Sequence, residues 1–257
     1  MSASDKAEVT AALLLIGNEL LSGRTKDANL AYIGERCTEL GIRLVEARVV
    51  ADVPAAIVEA TNALRARVDY LFTTGGIGPT HDDITAECIA QAVGRPLIVN
   101  PEAKALLEHH YGEAINPARM RMARTPEGAE LIENPVSTAP GFRIENVYVL
   151  AGIPKIMQAM FESLAPGLVG GEPILSRAVE VNLAESMIAP VLSDAQAAFE
   201  GQDGAAKVDI GSYPFARGGA FGVSVVMRST DPARLEQCLQ AVQAGIRDLG
   251  GMAEERS

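Results

Sequence analysis

Tryptophan is absent from the 257 residues, aromatic residues make up only 4%, and histidine occurs three times. The core must therefore be filled by aliphatic side chains, and a hydrophobic content of 48% supplies them, which excludes a disordered chain and fits an α/β protein. Basic charge is scarce as well. Lys and Arg number 22 against 33 Asp and Glu, a formal net charge of -11, so the chain has no basic surface on which to release the counterions of a nucleic-acid backbone. Cys37, Cys88 and Cys238 lie far apart with no CxxC pair, which excludes a zinc site or a disulfide framework and points to the reduced cytoplasm. Long hydrophobic runs are missing too. The one near the amino terminus is short and preceded by acidic residues, so it is a first strand and neither a signal peptide nor a membrane span.

What is present is a repeated alternation of strand and helix. An apolar run over 10–16 ends at Gly17, and 27–40 carries apolar positions at helical spacing, closed by Gly41. A strand over 42–50 stops before Asp52, a candidate N-cap for a helix over 54–67, and a short buried strand over 68–72 follows. Such βα units in series imply a mostly parallel sheet with helices on both faces. Residues 101–124 read as helical, 128–150 as short strands around Asn134-Pro135 and Pro140-Gly141, and a helix from Pro154 ends near Leu164. Three glycines and two prolines in 165–173 mark a linker, giving a first domain over 1–168 and a second over 174–257. The second has the order βαββα, a small α+β unit without a phosphate loop, for which a scaffolding role is expected.

The densest chemistry lies in residues 73–85, TTGGIGPTHDDIT, between a strand and a helix. Gly75, Gly76 and Gly78 have no Cβ, so the backbone can take positive φ, approach a ligand closely and turn N–H groups toward a phosphate. Asp82 and Asp83 stand beside that cradle. Two such charges a few ångströms apart repel by about 4 kcal/mol at an effective dielectric near 20, a sign that a divalent cation would reverse. In an open parallel sheet the loops at the carboxyl ends of the strands share one edge, which brings Glu19, Asp52, Asp82 and Asp83 to a common region with the loop of Gly152 to Lys155. Hard carboxylate oxygens favour magnesium, manganese or cobalt. Each acid also has a plain structural role open to it: Thr80 or Asp82 as N-cap of the following helix, Asp83 in its first turn, Asp52 as a cap, Glu19 as a solvated loop charge. Asp27 and Asn29 open the first long helix, where caps are common. His81 is suited to substrate binding or acid–base work, and equally to a plain loop position; His109 and His110 are given no function.

The loop TTGGIGPTHDDIT, the upstream IGNELLSGRTKDAN and the downstream VLAGIP together resemble the MoaB/Mog superfamily of molybdopterin-binding domains over about residues 8–165. Within it the chain is similar to the amino-terminal domain of CinA proteins and to the molybdopterin-binding-like domain of eukaryotic FAD synthases. The resemblance implies a three-layer α/β/α fold and a site at Gly75, Gly76, Gly78, Pro79, Asp52 and Asp83. With the loops that share this edge, Thr74, Thr80, His81, Asn29, Gly152 and Lys155 complete the expected phosphate-binding set, and Asp83, Asp82, Asp52 and Glu19 the expected metal set. The implied activity is divalent-metal-dependent hydrolysis of the pyrophosphate bond of ADP-ribose or FAD. The alternative is a molybdopterin-binding protein of cofactor biosynthesis that does not hydrolyse. The expected partner is a phosphorylated small molecule, nucleic acid and membrane are not expected, and a homo-oligomer is. From residue 175 on the chain is similar to the small middle domain of CinA, sometimes called KH-type, without a GxxG nucleic-acid loop. Two departures stand out. No nicotinamide-mononucleotide deamidase domain follows, so that activity is expected to be missing, and the family pattern PGVPSEM reads AGIPKIM here, with Ala151, Lys155 and Ile156 in place of Pro, Ser and Glu.

Overall fold

A computed structural model describes residues 8–201, 205–217 and 220–255. The chain divides into two compact units, Met1–Gly171 and Glu172–Ser257. The first contains, in order, β1 (Val9–Ile16), α1 (Asn18–Leu21), α2 (Asn29–Glu39), β2 (Ile42–Val50), α3 (Pro54–Arg65), β3 (Tyr70–Thr74), α4 (Thr85–Val93), β4 (Leu97–Val99), α5 (Pro101–Tyr111), α6 (Pro117–Met120), β5 (Arg124–Pro126), β6 (Glu130–Ile132), β7 (Gly141–Ile144), β8 (Val147–Leu150) and α7 (Pro154–Leu164).

From Ala11 to Ile16 strand β1 is apolar without interruption because it runs through the sheet interior and is covered on both faces. Its side chains alternate between two cores. Val9, Ala11, Leu13 and Leu15 pack with Ile33 and Cys37 of α2 and with Met157, Met160 and Phe161 of α7. Ala12, Leu14 and Ile16 pack with Ile57, Ala60 and Leu64 of α3 and with Cys88 and Ile89 of α4. These two clusters on opposite faces of one sheet make the three layers that the pattern predicts. The strand order is β2-β1-β3-β8-β7-β6; the first four are parallel, β7 pairs antiparallel with β8, and β6 pairs antiparallel with β7.

The stretch expected to be helical over 101–124 is broken. Helix α5 ends at Gly112 with φ 51, a 3-10 turn and the short α6 follow, and a second 3-10 turn at 121–123 leads into β5, which pairs with β4. Asn116 and Pro117 force the restart: the Asn116 side chain accepts from the Arg119 N–H, and proline has no N–H to continue the preceding turn.

The second unit contains β9 (Leu175–Val181), α8 (Glu185–Ala198), β10 (Asp209–Arg217), β11 (Ala220–Ser229), α9 (Pro232–Asp248) and β12 (Ala253–Glu255). Its four strands are antiparallel in the order β10-β11-β9-β12. Val179, Val181, Val223, Val225 and Met227 pack with Leu235, Cys238, Leu239, Val242 and Ile246 of α9. Strand β12 adds a sixth element to the expected βαββα order. Gly250, with φ 78, reverses the chain after α9, and the Met252 N–H donates to the Asn182 side chain at 2.8 Å, which fixes the return beside β9. Among the described residues no helix is long and apolar enough to cross a membrane.

Candidate functional site

Four parallel strands end on one edge of the first unit's sheet, and the loops that leave them are bonded to one another. The Gly17 N–H donates to the Val50 carbonyl at 3.1 Å, and the Asn18 N–H donates to Asp52 Oδ2 at 2.8 Å, joining the loops after β1 and β2. The Gly75 N–H donates to the Leu150 carbonyl at 3.2 Å, and Asn29 Nδ2 to the Gly152 carbonyl at 2.9 Å, joining β3 and α2 to the loop after β8. Asp52 is therefore not the cap of α3: Val53 occupies the N-cap without a side-chain bond, and the Asp52 carboxylate holds the neighbouring loop instead. Asp27 precedes Ala28, the N-cap of α2, and its carboxylate accepts from the Asn29 N–H at 3.2 Å and the Leu30 N–H at 2.9 Å in the first turn.

The glycines serve this bracing. A Cβ on Gly75, whose φ is 103, would lie 2.1 Å from the Ile16 carbonyl oxygen; one on Gly76, whose φ is 65, would lie 2.2 Å from Thr85 Oγ1. A Cβ on Gly78 would lie 2.7 Å from Asp83 Oδ2. The space that each leaves is filled by the protein itself, so the glycines let the loop pack close rather than leave room for a ligand at Cβ. The N–H groups are a separate matter. That of Gly75 is spent on Leu150 and that of Thr80 on Asp83, whereas those of Gly76, Ile77 and Gly78 have no acceptor among the described residues.

A cleft of about 570 Å³ opens over this turn. Its polar end holds Glu19, Gly75, Gly76, Gly78, Asp83 and Gly152; Pro79 also lines it, and Met122, Ile153 and Ile156 supply apolar wall. The Asp83 carboxylate is aimed by its own turn: Oδ2 accepts from the Thr80 N–H at 2.7 Å and from the Thr80 hydroxyl at 2.5 Å. Helix α4 begins only at Thr85, with Ile84 as N-cap and no side-chain cap bond, so neither Thr80 nor Asp82 caps it. Thr85 Oγ1 donates instead to the Gly75 carbonyl at 2.9 Å.

The remaining expected residues fall around this centre. Thr74 and Asn29 line a smaller recess of about 40 Å³ together with Thr25 and Asp27. Asn29 is 4% exposed and its Oδ1 has no partner. The side chain of His81 is 96% exposed and that of Asp82 61%, with 3.9 Å between them, and neither lines the cleft. Hydrogen bonding within its own turn first, then His81 and Arg121, hold the Asp82 carboxyl below the usual carboxylate range. Lys155, expected at the phosphate edge, is exposed on α7 outside the cleft lining, since α7 turns the neighbouring Ile156 inward.

Two groups of site residues went unread in the sequence. Arg121 and Met122 reach the turn from the 3-10 segment before β5, where one continuous helix is the simpler reading of the pattern. Asn134, Ser137 and Ala139 form another wall. Asn134 Oδ1 accepts from the Val136 and Ser137 N–H groups at 3.1 and 3.0 Å, its Nδ2 donates to Ser137 Oγ and the Ala139 carbonyl, and the loop so held keeps Thr138 at φ 66. Asparagine before proline is the signal for such a side-chain-bonded turn.

Among the described residues no three His, Cys, Asp or Glu side chains form a group that would hold a metal alone. Magnesium does not require one, since it binds commonly through one or two carboxylates together with ligand phosphates and water. Glu19 and Asp83 are two hard oxygen donors lining the same cleft as the open N–H groups. This donor set fits magnesium, manganese or cobalt carried by a phosphorylated ligand, and does not fit a closed protein cage.

A family model described as probable molybdopterin binding domain matches residues 12–170. The chain belongs to this family. A second model, described as FAD synthase, middle domain, matches residues 173–250. A protein of Aeropyrum pernix is 34% identical, covering 95% of this chain and 96% of its own length; one of Thermococcus kodakarensis is 33% identical, covering 92% and 98%. The crystal structure of CinA from Thermoplasma acidophilum, a protein described as of unknown function, is 35% identical with a TM-score of 0.60 over 63% of this chain and 99% of that one. The family match spans the glycine turn, Asp52, Asp83 and the loop at Gly152, so the first unit is a MoaB/Mog-like, CinA-like molybdopterin-binding domain.

Proposed function

We propose that the cleft is the active site of a divalent-metal-dependent pyrophosphatase acting on a nucleotide of the ADP-ribose or FAD type. The observation that carries this reading is the run of three N–H groups without acceptors, Gly76 to Gly78, beside the oriented carboxylate of Asp83 in a cleft of about 570 Å³. Those N–H groups hold the non-bridging phosphate oxygens. Asp83 Oδ2 is fixed by Thr80, which leaves Oδ1 to orient an attacking water or to join Glu19 in holding the metal. When bound, the cation neutralises the pyrophosphate and lowers the pKa of that water. The wall of Met122, Ile153 and Ile156 takes the planar ring of the ligand and excludes solvent from its face. Asp52 acts from behind by holding the Asn18 N–H and with it the loop that carries Glu19.

A second reading, binding of a phosphorylated pterin without hydrolysis, is favoured by Ile156, which sets an alkyl group on the cleft wall where the family pattern has a glutamate. The two are separated by AMP release from ADP-ribose and from FAD, measured with magnesium, manganese or cobalt and with chelator. Metal-dependent release that falls by about a thousandfold in Asp83→Ala, with the unfolding midpoint little changed, supports the pyrophosphatase. Absence of release together with tight pterin binding replaces it with the second reading.

A further inference from the structure

A phosphate in the Gly76–Gly78 turn would meet an acidic surround, because Glu19 and Asp83 line the cleft. A cation on the protein's side would offset this, and Lys26 lines the smaller recess beside Asn29, outside the lining of the main cleft. Lys155 is exposed and does not line the cleft. Arg124 is paired with Glu87. Arg121 is half-buried and lines a recess together with Gly76, Gly78, Asp83 and Met122, all of which also line the main cleft. Its Nη2 donates to the Asp83 carbonyl at 3.2 Å, a neutral acceptor, and no carboxylate lies within ion-pair distance of it among the described residues. A guanidinium has five N–H donors in a planar fork, so one bond to a carbonyl leaves a pair free for bidentate binding of a phosphate.

We infer that Arg121 is a phosphate-binding residue of this site: its guanidinium, anchored to the Asp83 carbonyl, takes the oxygens of a pyrophosphate group lying in the Gly76–Gly78 turn. The inference rests on the phosphate-site reading given above and extends it to the ligand's charge. It gives the site an affinity for pyrophosphate that persists when divalent cations are removed, because the counter-charge belongs to the chain. It also ties that charge to the backbone of the residue whose carboxylate is proposed to act, so ligand and carboxylate are positioned from one point.

The test is calorimetric titration of the full chain with inorganic pyrophosphate, once with magnesium and once with EDTA. The proteins are the wild type, Arg121→Gln, Arg121→Lys and Arg124→Gln. Arg121→Gln should bind at least about tenfold more weakly in both media. Arg121→Lys should recover only part of the loss, because an ammonium is a point charge and cannot fork. Arg124→Gln should stay within about twofold, its guanidinium being occupied by Glu87. Wild-type affinity in Arg121→Gln overturns the inference and leaves the phosphate site standing, as does an equal loss in Arg124→Gln, which would mark a general charge effect. Failure of the wild type to bind pyrophosphate in either medium overturns the phosphate site itself. If Arg121→Gln does not fold, Arg121→Lys decides, and wild-type affinity there overturns the forked contact.

Discussion

The two units of the chain solve the same packing problem with opposite consequences. In the first, parallel strands require crossovers through helices, and each crossover leaves a loop at the same edge, so β1, β2, β3 and β8 deliver Gly17, Asp52, Gly75 and Gly152 to one place. In the second, antiparallel strands alternate in direction, and the loops are shared between the two ends of the sheet. Both bury aliphatic cores of the same kind, yet the described cleft with open N–H groups lies in the first. Connectivity gathers the functional groups; composition alone does not.

That contrast can be broken most forcefully with a pair of glycines. Gly75→Ala would drive a Cβ to 2.1 Å from the Ile16 carbonyl at a φ of 103, and Gly222→Ala would drive one to 2.6 Å from the Val181 carbonyl. Each should lose about 2–4 kcal/mol of stability. The expected difference is that Gly75→Ala also loses pyrophosphate binding, whereas Gly222→Ala, measured by the same calorimetry well below its unfolding midpoint, retains it. Loss of binding in Gly222→Ala would end the separation of roles. A finer cut is Gly78→Ala, where the new Cβ meets a side-chain carboxylate, Asp83 Oδ2 at 2.7 Å, and not backbone. Turnover should fall about tenfold or more, with an unfolding midpoint within about 3 °C of the wild type.

The smallest effect concerns the outer layer of the first unit alone. Glu162 on α7 accepts from the Tyr32 hydroxyl and from Arg36 of α2, and these bonds, the Tyr32 bond foremost, hold its carboxyl below the usual range. A carboxyl whose pKa is lowered by folding contributes stability above its unfolded value and loses it as pH falls through the folded value. Glu162→Gln should thus cost under about 1 kcal/mol at pH 7, since the group is partly exposed, and the gap to wild type should close as pH falls below about 4. Thermal unfolding of both proteins across pH 3–7 checks the sign. A gap that widens in acid contradicts the assigned cause.

Much of this was legible in the chain, for identifiable reasons. Uninterrupted apolar runs such as 11–16 allow few alternatives to a buried strand, and Ile33 with Cys37, or Ile57 with Ala60 and Leu64, can share a helix face in only one way. The glycine turn was legible because its residue types are costly anywhere else. Partners across sequence were not. Nothing local in Asp52 tells that its carboxylate holds the Asn18 N–H, 34 residues away, instead of capping its own helix. The place of Arg121 beside the turn was hidden by two short turns whose local pattern imitates one helix, and that of Lys155 because a shift of one residue on α7 exchanges a cleft position for solvent. Strand β12 has three residues, Ala253 to Glu255, too few for periodicity to register.

The bond between Asp52 and Asn18 carries a lesson for genetics. A screen that scores variants by growth or turnover alone would place Asp52 and Asp83 in the same class, since losing either should silence the protein. Their histories under selection would still differ. If Asp52 only braces the loop, it should tolerate a change that keeps an acceptor in reach of one backbone N–H, asparagine among them, while an Asp83 that acts as proposed should need its charge. A catalogue of tolerated substitutions would tell the brace from the reagent where a knockout cannot.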